Sequence, residues 1–417
     1  MSARLGRFEK AIIAGLHPNL AIDRPPLWRD GRNVSFKDLA LQPIPGQTLI
    51  FDKLSAETPR GAIELSISGQ PNLFWGTQTK LYRGVWKTPS PTDVSGAAYT
   101  GILDATDSQP ATVWSFAEWG DLVFATNGVD APQVWDLASP SAFAEWQELP
   151  AAASLYFGTA EIVLAYGAFI VVYNTGQGIE YASWSAFNSP FAFFPLAANE
   201  AGSLIFRDLG SEIRCVRRLG RVHAVYGTNQ MRVLQFIGAP NFFGQEHLQD
   251  GIGAVSKNAV VSVLGVHYGF GPQGIWVTDG NTYQYIDDPS IRDFVFRNIN
   301  RDQMSKVVGW EDKQETSVNW SFPQANAKEV SITISWNYQE KNWSIFEYAR
   351  TAATSAEVFQ NTMLFDASGN VYQNGERGDS PTTGAPLTLE ALAEMDIGYG
   401  YGGYGFGGFG GHEEVVG

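Results

Sequence analysis

The chain has 417 residues, and its five histidines and single cysteine are the first places to look for chemistry. His17, His223, His247, His267 and His412 include no pair at metal-ligand spacing, and Cys215 joins none of them in a zinc pattern. There is no Gly-x-Ser-x-Gly elbow for a nucleophile and no glycine loop of the kind that cradles phosphate. Glycosidic hydrolysis needs two facing carboxylates on separate strands. Glu180, Asp279 and Asp366 qualify by type, but so do many others, and no pair is singled out. His223 and His267 lie in half-apolar, strand-like segments and read as satisfied core histidines. Cys215, in an Arg-rich strand-like stretch, reads as a small buried group. The expectation is therefore no catalytic residue, no metal and no cofactor.

Charge is the next signal. The net charge is −15, from 28 Lys+Arg against 43 Asp+Glu. Between Lys87 and Arg207 there is no Lys, Arg or His, while Asp121, Asp130, Asp136 and Glu145 fall in that span. A basic cluster follows, comprising Arg207, Arg214, Arg217, Arg218, Arg221 and Arg232. One reading is two solvated faces. The other is an acidic half and a basic rim, with Arg207, Arg214, Arg217, Arg218 and Arg221 of one copy meeting Asp121, Asp130, Asp136 and Glu145 of the next in a head-to-tail ring. A chain this acidic is poorly suited to gripping a polyanion, because phosphate affinity comes from Lys and Arg.

The elements that must position these residues are hairpins. Leu122 to Thr126 is a strand by its apolar content, Asn127-Gly128 supplies a tight turn, and Gln133 to Asp136 returns. Similar units turn at 76–79, 174–178, 227–230, 279–280, 339–342 and 366–369. The spacing of roughly 40–60 residues suits propeller blades, each a four-stranded sheet that buries its faces against its neighbours. The expectation is an all-β chain: a β-propeller of six to seven blades over 47–380, preceded by an N-terminal arm (1–46). The arm carries a short amphipathic helix through Leu5, Phe8, Ile12 and Leu16. Residues 381–417 are expected to hold a short helix, Leu387 to Met395, and a flexible Gly/aromatic tail. A pair of β-sandwiches is the rival architecture. The most apolar stretch, Glu161 to Tyr173, is too short to span a bilayer and reads as two buried strands meeting at Gly167. No secretion signal is read in Met1 to Lys10, so Asn33-Val34-Ser35, Asn319-Trp320-Ser321 and Asn342-Trp343-Ser344 read as chance glycosylation triplets, and the lone cysteine fits a reducing cytoplasm.

Four phrases, in order, are similar to the tail nozzle (tail-tube, packaged-DNA stabilisation) proteins of short-tailed, podovirus-type bacteriophages. They are Trp28-Arg29-Asp30-Gly31-Arg32-Asn33-Val34-Ser35-Phe36; Trp114 to Asp136; Gly253 to Val260 with Gly271 to Gly280; and Ile291 to Phe296 through Trp320-Ser321-Phe322-Pro323 to Trp343-Ser344. The resemblance implies a virion structural protein: a propeller-bearing subunit in a ring of six below the portal and the head–tail adaptor. Such a ring extends the DNA channel, holds and releases the genome without binding it tightly, and carries a fibre, spike or needle. It is assembled in the host cytoplasm and resides in the virion tail, with no membrane span and no enzymatic activity. The Gly/aromatic tail has no match in the family. The alternative is a glycan-binding or glycan-cleaving propeller of a phage tail, because Asp279-Gly280 and Asp366-Ala367-Ser368-Gly369 are similar to turns of sialidase-type propellers. A cellular interaction scaffold is a third reading, but Trp-Asp occurs only once, at Trp135-Asp136.

Overall fold

The computed structural model describes residues 28–374 apart from 38–39, 52, 54, 89, 103–110, 150–153, 355–357 and 360. It also describes Leu16, Pro18 and the backbone of strands Leu392–Asp396 and His412–Val416. Seven four-stranded antiparallel sheets follow one another and form a seven-bladed β-propeller. Blade 1 comprises Ala62–Ile67, Gln70–Gly76, Leu81–Val85 and Thr92–Asp93; blade 2 comprises Ser115–Trp119, Leu122–Thr126, Gln133–Asp136 and Ala144–Glu145. Blade 3 is Ala160–Tyr166, Phe169–Thr175, Gly178–Trp184 and Gly202–Ile205; blade 4 is Cys215–Leu219, Val222–Tyr226, Gln230–Gly238 and Phe242–Asp250. Blade 5 is Val260–Val263, Val266–Phe270, Ile275–Thr278 and Tyr283–Tyr285; blade 6 is Val308–Asp312, Ser317–Phe322, Ile332–Asn337 and Asn342–Phe346. Blade 7 takes Ala352–Ala353, Met363–Phe365 and Val371–Asn374 from the end of the propeller. Its outer strand, Gln47–Phe51, comes from the beginning.

Second strands are almost wholly apolar because both of their faces are covered. Phe169–Thr175, for example, is buried at every position but Asn174. Outer strands meet water on one side and turn polar, as in Phe242–Asp250. Apolar clusters fill the gaps between neighbouring sheets around the circle. Phe74, Trp135 and Val123 join blades 1 and 2; Phe124, Val163 and Ile170 join 2 and 3; Val171, Val216 and Phe243 join 3 and 4. Phe51, Trp75 and Phe365 join blade 7 back to blade 1. Between blades 6 and 7 the packing changes. Ser317, Ser335, Ser344, Asn337 and Asn342 of blade 6 share a buried polar cavity of about 20 Å3 with Asp312, Glu315 and Asn374. That is room for about one water.

First strands abut one another about the axis. Asn258 and Val308 form a parallel bridge, the Gly309 amide donates to the Asn258 carbonyl at 2.8 Å, and the Val163 amide donates to Ser115 Oγ at 3.1 Å. The fourth strands are therefore outermost. One face carries the tight turns from first to second strands, and we call it the turn face. The opposite, loop face carries the connections between blades. Gly61 shows why such a connection needs glycine: its φ is +98°, and a Cβ there would sit 2.1 Å from the Trp114 carbonyl oxygen.

Several expectations need correction. The run of hairpins is interrupted between blades 5 and 6 by a helix, α1 (Pro289–Asn298), and a 3-10 turn, Arg301–Lys306. The cue was present: Asp288 caps the Ser290 and Ile291 amides ahead of Pro289, and Ile291 and Val295 are buried one turn apart. The short helix expected over Leu387 to Met395 is replaced, where the backbone is described, by strand Leu392–Asp396. This strand pairs with Trp28–Arg32 and with His412–Val416 in a three-stranded sheet joining the two chain ends. The Gly/aromatic tract and the arm helix lie outside the described residues, except that Leu16 is buried and its amide donates to the Trp343 carbonyl at 3.1 Å. The arm also holds a hairpin, Val34–Lys37 with Ala40–Pro43, which docks on blade 6: the Asn33 amide donates to the Ile345 carbonyl at 2.9 Å.

Candidate functional site

The axis holds a cavity of about 1020 Å3. Its wall is apolar on blades 1 to 3, through Ile63, Phe116 and Leu164, and charged on blades 4 and 6, through Arg217, Arg218, Glu311 and Lys313. It opens on the turn face, where Arg218, Leu264, Lys313 and Tyr338 stand at strand ends and turns. At the loop face it is shut by side chains and backbone that cross the axis. Lys257, leading into blade 5, reaches the Val113 carbonyl at 2.6 Å and Glu161 Oε2 of blade 3 at 2.7 Å. Ser305, in the insertion between blades 5 and 6, accepts from the Ala111 amide at 3.2 Å, and Glu329 of blade 6 pairs with Arg60 and Lys306. These three cations are 9%, 4% and 2% exposed for Lys257, Arg60 and Lys306, so each is held by pairing rather than by water.

Electrostatics inside the cavity favour anions. Burial raises the Glu311 carboxyl above its ordinary range, against the pull of Lys313 and of the Tyr338 hydroxyl, which donates to Glu311 Oε1 at 3.3 Å. Burial, reinforced by Glu311, pushes Tyr338 up to about 12. The charged groups of the lining are then Arg217, Arg218 and Lys313 against Glu311. In the polar seam between blades 6 and 7, burial raises Asp312 to about 6, with Glu315 adding to the rise and three hydrogen-bond donors opposing it.

The arginines expected to form a rim are scattered by the fold. Arg217 donates to the Val260 carbonyl at 3.0 Å and to Asn258 Oδ1 at 3.1 Å, joining blades 4 and 5. Arg214 pairs with Glu212 at 2.9 Å, and Arg232 is buried against the Asp208 carbonyl. Arg218 and Arg221 face the turn side and Arg207 the loop side, all three exposed. Asp130 is occupied in its own loop, accepting from Thr100 Oγ1 at 2.7 Å and Asn127 Nδ2 at 2.8 Å, so the stretch after Asn127-Gly128 is a longer braced loop rather than a two-residue turn. Asp136 accepts from the Ala138 amide, while Asp121 and Glu145 are exposed.

Both strand histidines are satisfied, and by the same device. Tyr173 of blade 3 bonds His223 Nδ1 at 2.7 Å, and His223 Nε2 lies 3.3 Å from the Ala165 carbonyl. Tyr226 of blade 4 bonds His267 Nδ1 at 2.7 Å, and His267 Nε2 lies 3.0 Å from the Arg218 carbonyl. Each imidazole therefore accepts from a tyrosine and donates to a carbonyl across a blade boundary, and burial lowers both to about 4. Cys215 is buried, its thiol 3.1 Å from the Lys257 carbonyl and pushed up by burial. Asn33, Asn319 and Asn342 are buried too, which excludes glycosylation of the folded protein at these triplets. Asp279 and Asp366 brace their own turns through Thr282 and Asn370. Among the described residues no group of three or more His, Cys, Asp or Glu is placed to hold a metal, and no helix is long and apolar enough to cross a membrane. Lys257, Glu311 and Lys313 were not singled out in the sequence. Only the strand order brings them to the axis.

The fold defines the class: a seven-bladed β-propeller closed by a strand from its own beginning. No protein-family model matches the chain, and no curated protein matches it in sequence. Among solved structures it is similar to the computationally designed Ika8 protein, at 9% identity and a TM-score of 0.45, over 79% of this chain and 100% of that one. A chain of the mitotic checkpoint complex gives 9% identity and a TM-score of 0.46, over 76% and 89% respectively.

Proposed function

We propose that this chain is a non-catalytic assembly subunit: the propeller component of a ring in the tail nozzle of a short-tailed phage, below the portal and adaptor. The observation that carries the assembly reading is an apolar patch on the outer edge of blades 3 and 4. Phe187, Leu196, Phe236 and Ile237 are about half exposed or more, and Phe187 and Phe236 both pack on Phe169. Leu196 and Ile237 line a groove of about 820 Å3 between these blades. Exposed large apolar side chains gathered in one place mark a surface that another protein covers. Their position on the outer strands and turns suits a neighbouring copy in a ring. The ordered nozzle-like phrases support the tail assignment. Because the propeller's own axis is shut at the loop face, the genome's path in this reading runs between copies and not through a blade circle. The net acidity of the chain suits a wall that DNA passes without sticking.

Replacing Leu196 and Ile237, each more than half exposed, with Glu should leave the monomer's melting temperature close to the parent's. Ring formation on the purified adaptor, followed by electron microscopy, should fall at least tenfold. Normal rings from the double variant, or a virion map that puts the protein away from the tail axis, would remove the proposal. For the glycan-cleaving alternative, the axial cavity offers one carboxylate among its lining residues, Glu311, where hydrolysis calls for a pair.

A further inference from the structure

We infer that the axial cavity is a socket for an acidic peptide segment entering from the turn face. The inference does not depend on the ring reading, because it concerns a different surface. Within a chain of net charge −15, the cavity's charged lining is three cations and one carboxylate. Such a local reversal selects and steers an anionic partner. Arg217 is committed to Val260 and Asn258, which fixes it in the wall. Arg218 uses only its Nε, on the Gly220 carbonyl, and its two terminal nitrogens bond no described protein atom. That pair of nitrogens is the fork that fits a carboxylate.

The remaining lining indicates a peptide rather than a small inorganic anion. Ile63, Phe116 and Leu164 give an apolar arc opposite the cations, and Leu264 stands 92% exposed on the turn beside the mouth. Carbon surface of this kind does nothing for phosphate, but it packs against side-chain stems and apolar neighbours of an acidic residue. The volume lies at the upper end of the roughly 300–1,000 Å3 in which pockets enclose a ligand. Because Lys257 and the Arg60–Glu329–Lys306 group block the far end, the occupant enters and stops, as a chain end or loop tip would.

The test is fluorescence anisotropy of a labelled peptide of alternating Glu and Leu, titrated with the full-length protein at low and at physiological salt. Saturable binding that weakens with salt is expected. Arg218→Glu alone should weaken it several-fold, and Arg218→Glu with Lys313→Glu at least tenfold, at unchanged melting temperature. Arg207→Glu, on the loop face, should leave it as it was. Citrate and inorganic phosphate at the same concentration should not displace the peptide. Absence of saturable binding, equal loss with Arg207→Glu, or full affinity in Arg218→Glu would overturn the inference. Displacement by phosphate would overturn the peptide assignment and return the socket to small anions.

Discussion

Arg217 and Arg218 adjoin in sequence yet serve different ends. Arg217 spans blades 4 and 5, with its nitrogens on the Val260 and Val216 carbonyls and on Asn258. Glu at 217 would place a carboxylate among those acceptors, and we expect a loss of about 2–4 kcal/mol in urea unfolding. Glu at 218 should stay within about 0.5 kcal/mol of the parent. Equal midpoints for both variants would show that Arg217 does not hold the boundary. The tyrosine-paired histidines set a pH response. His223 and His267 titrate near 4 in the folded chain and near 6.5 when exposed. The unfolded chain therefore takes up their protons first as pH falls. Their contribution is complete above 6.5 and is lost as pH falls through 4, up to about 3 kcal/mol each. Asp312 works in the opposite sense: raised from 3.8 to about 6, it favours the folded state below 3.8 and loses that contribution as pH rises through 6. Two histidines outweigh one aspartate, so these three groups together destabilise the fold between pH 6.5 and 4. In the His223→Gln, His267→Gln double variant the acid-induced loss should shrink by several kcal/mol, measured as urea midpoints at pH 7 and pH 4.5. An unchanged slope would rule out the neutral buried assignment.

At the scale of elements, the closing of the circle depends on one short strand. Gln47–Phe51 pairs with Val371–Asn374, and Arg350, 3% exposed, bonds Gln47 Oε1 while lying 4.7 Å from the Tyr348 ring and 4.9 Å from Tyr372. Arg350→Ala removes a cation stacked between two rings and leaves Gln47 unpartnered, at about 3–5 kcal/mol. Limited proteolysis should then cut around residues 51–60 before any other blade. Uniform cleavage would count against this strand as the weakest closure. The hairpins that build the blades were largely legible in the sequence, because doubly buried strands bounded by Gly and Asn leave a plain pattern, as at Phe169–Thr175. Their phase was not. The turns at 279–280 and 339–342 join third to fourth strands, whereas 76–79, 174–178, 227–230 and 366–369 join second to third. Local sequence marks a turn but not its rank within a blade, so the interval from 339–342 to 366–369 is shorter than a full blade. α1 was missed because Asp288-Pro289 also reads as a turn. The axial site was illegible for a further reason: Arg218 and Lys257 lie far along the chain from Glu311 and Lys313, and only closure of the circle brings all four to the axis.

For the molecule as a whole, charge follows the chain around the circle: no Lys, Arg or His falls between Lys87 and Arg207, the span that builds blades 2 and 3. The exposed Arg218 and Arg221 face the turn side and Arg207 the loop side, and the axial cavity, with three cations and one carboxylate in its lining, opens on one face. The apolar patch lies on the outer edge of blades 3 and 4, lateral to that mouth, so the turn-face side of the molecule presents two chemically different surfaces. The outer strand of blade 7 has a consequence for synthesis. Residues 47–51 leave the ribosome well before their partners at 371–374, which follow only after the six intervening blades have been made. Until then blades 1 and 6 each present an apolar face that only blade 7 covers, through Trp75 on one side and Phe346 on the other.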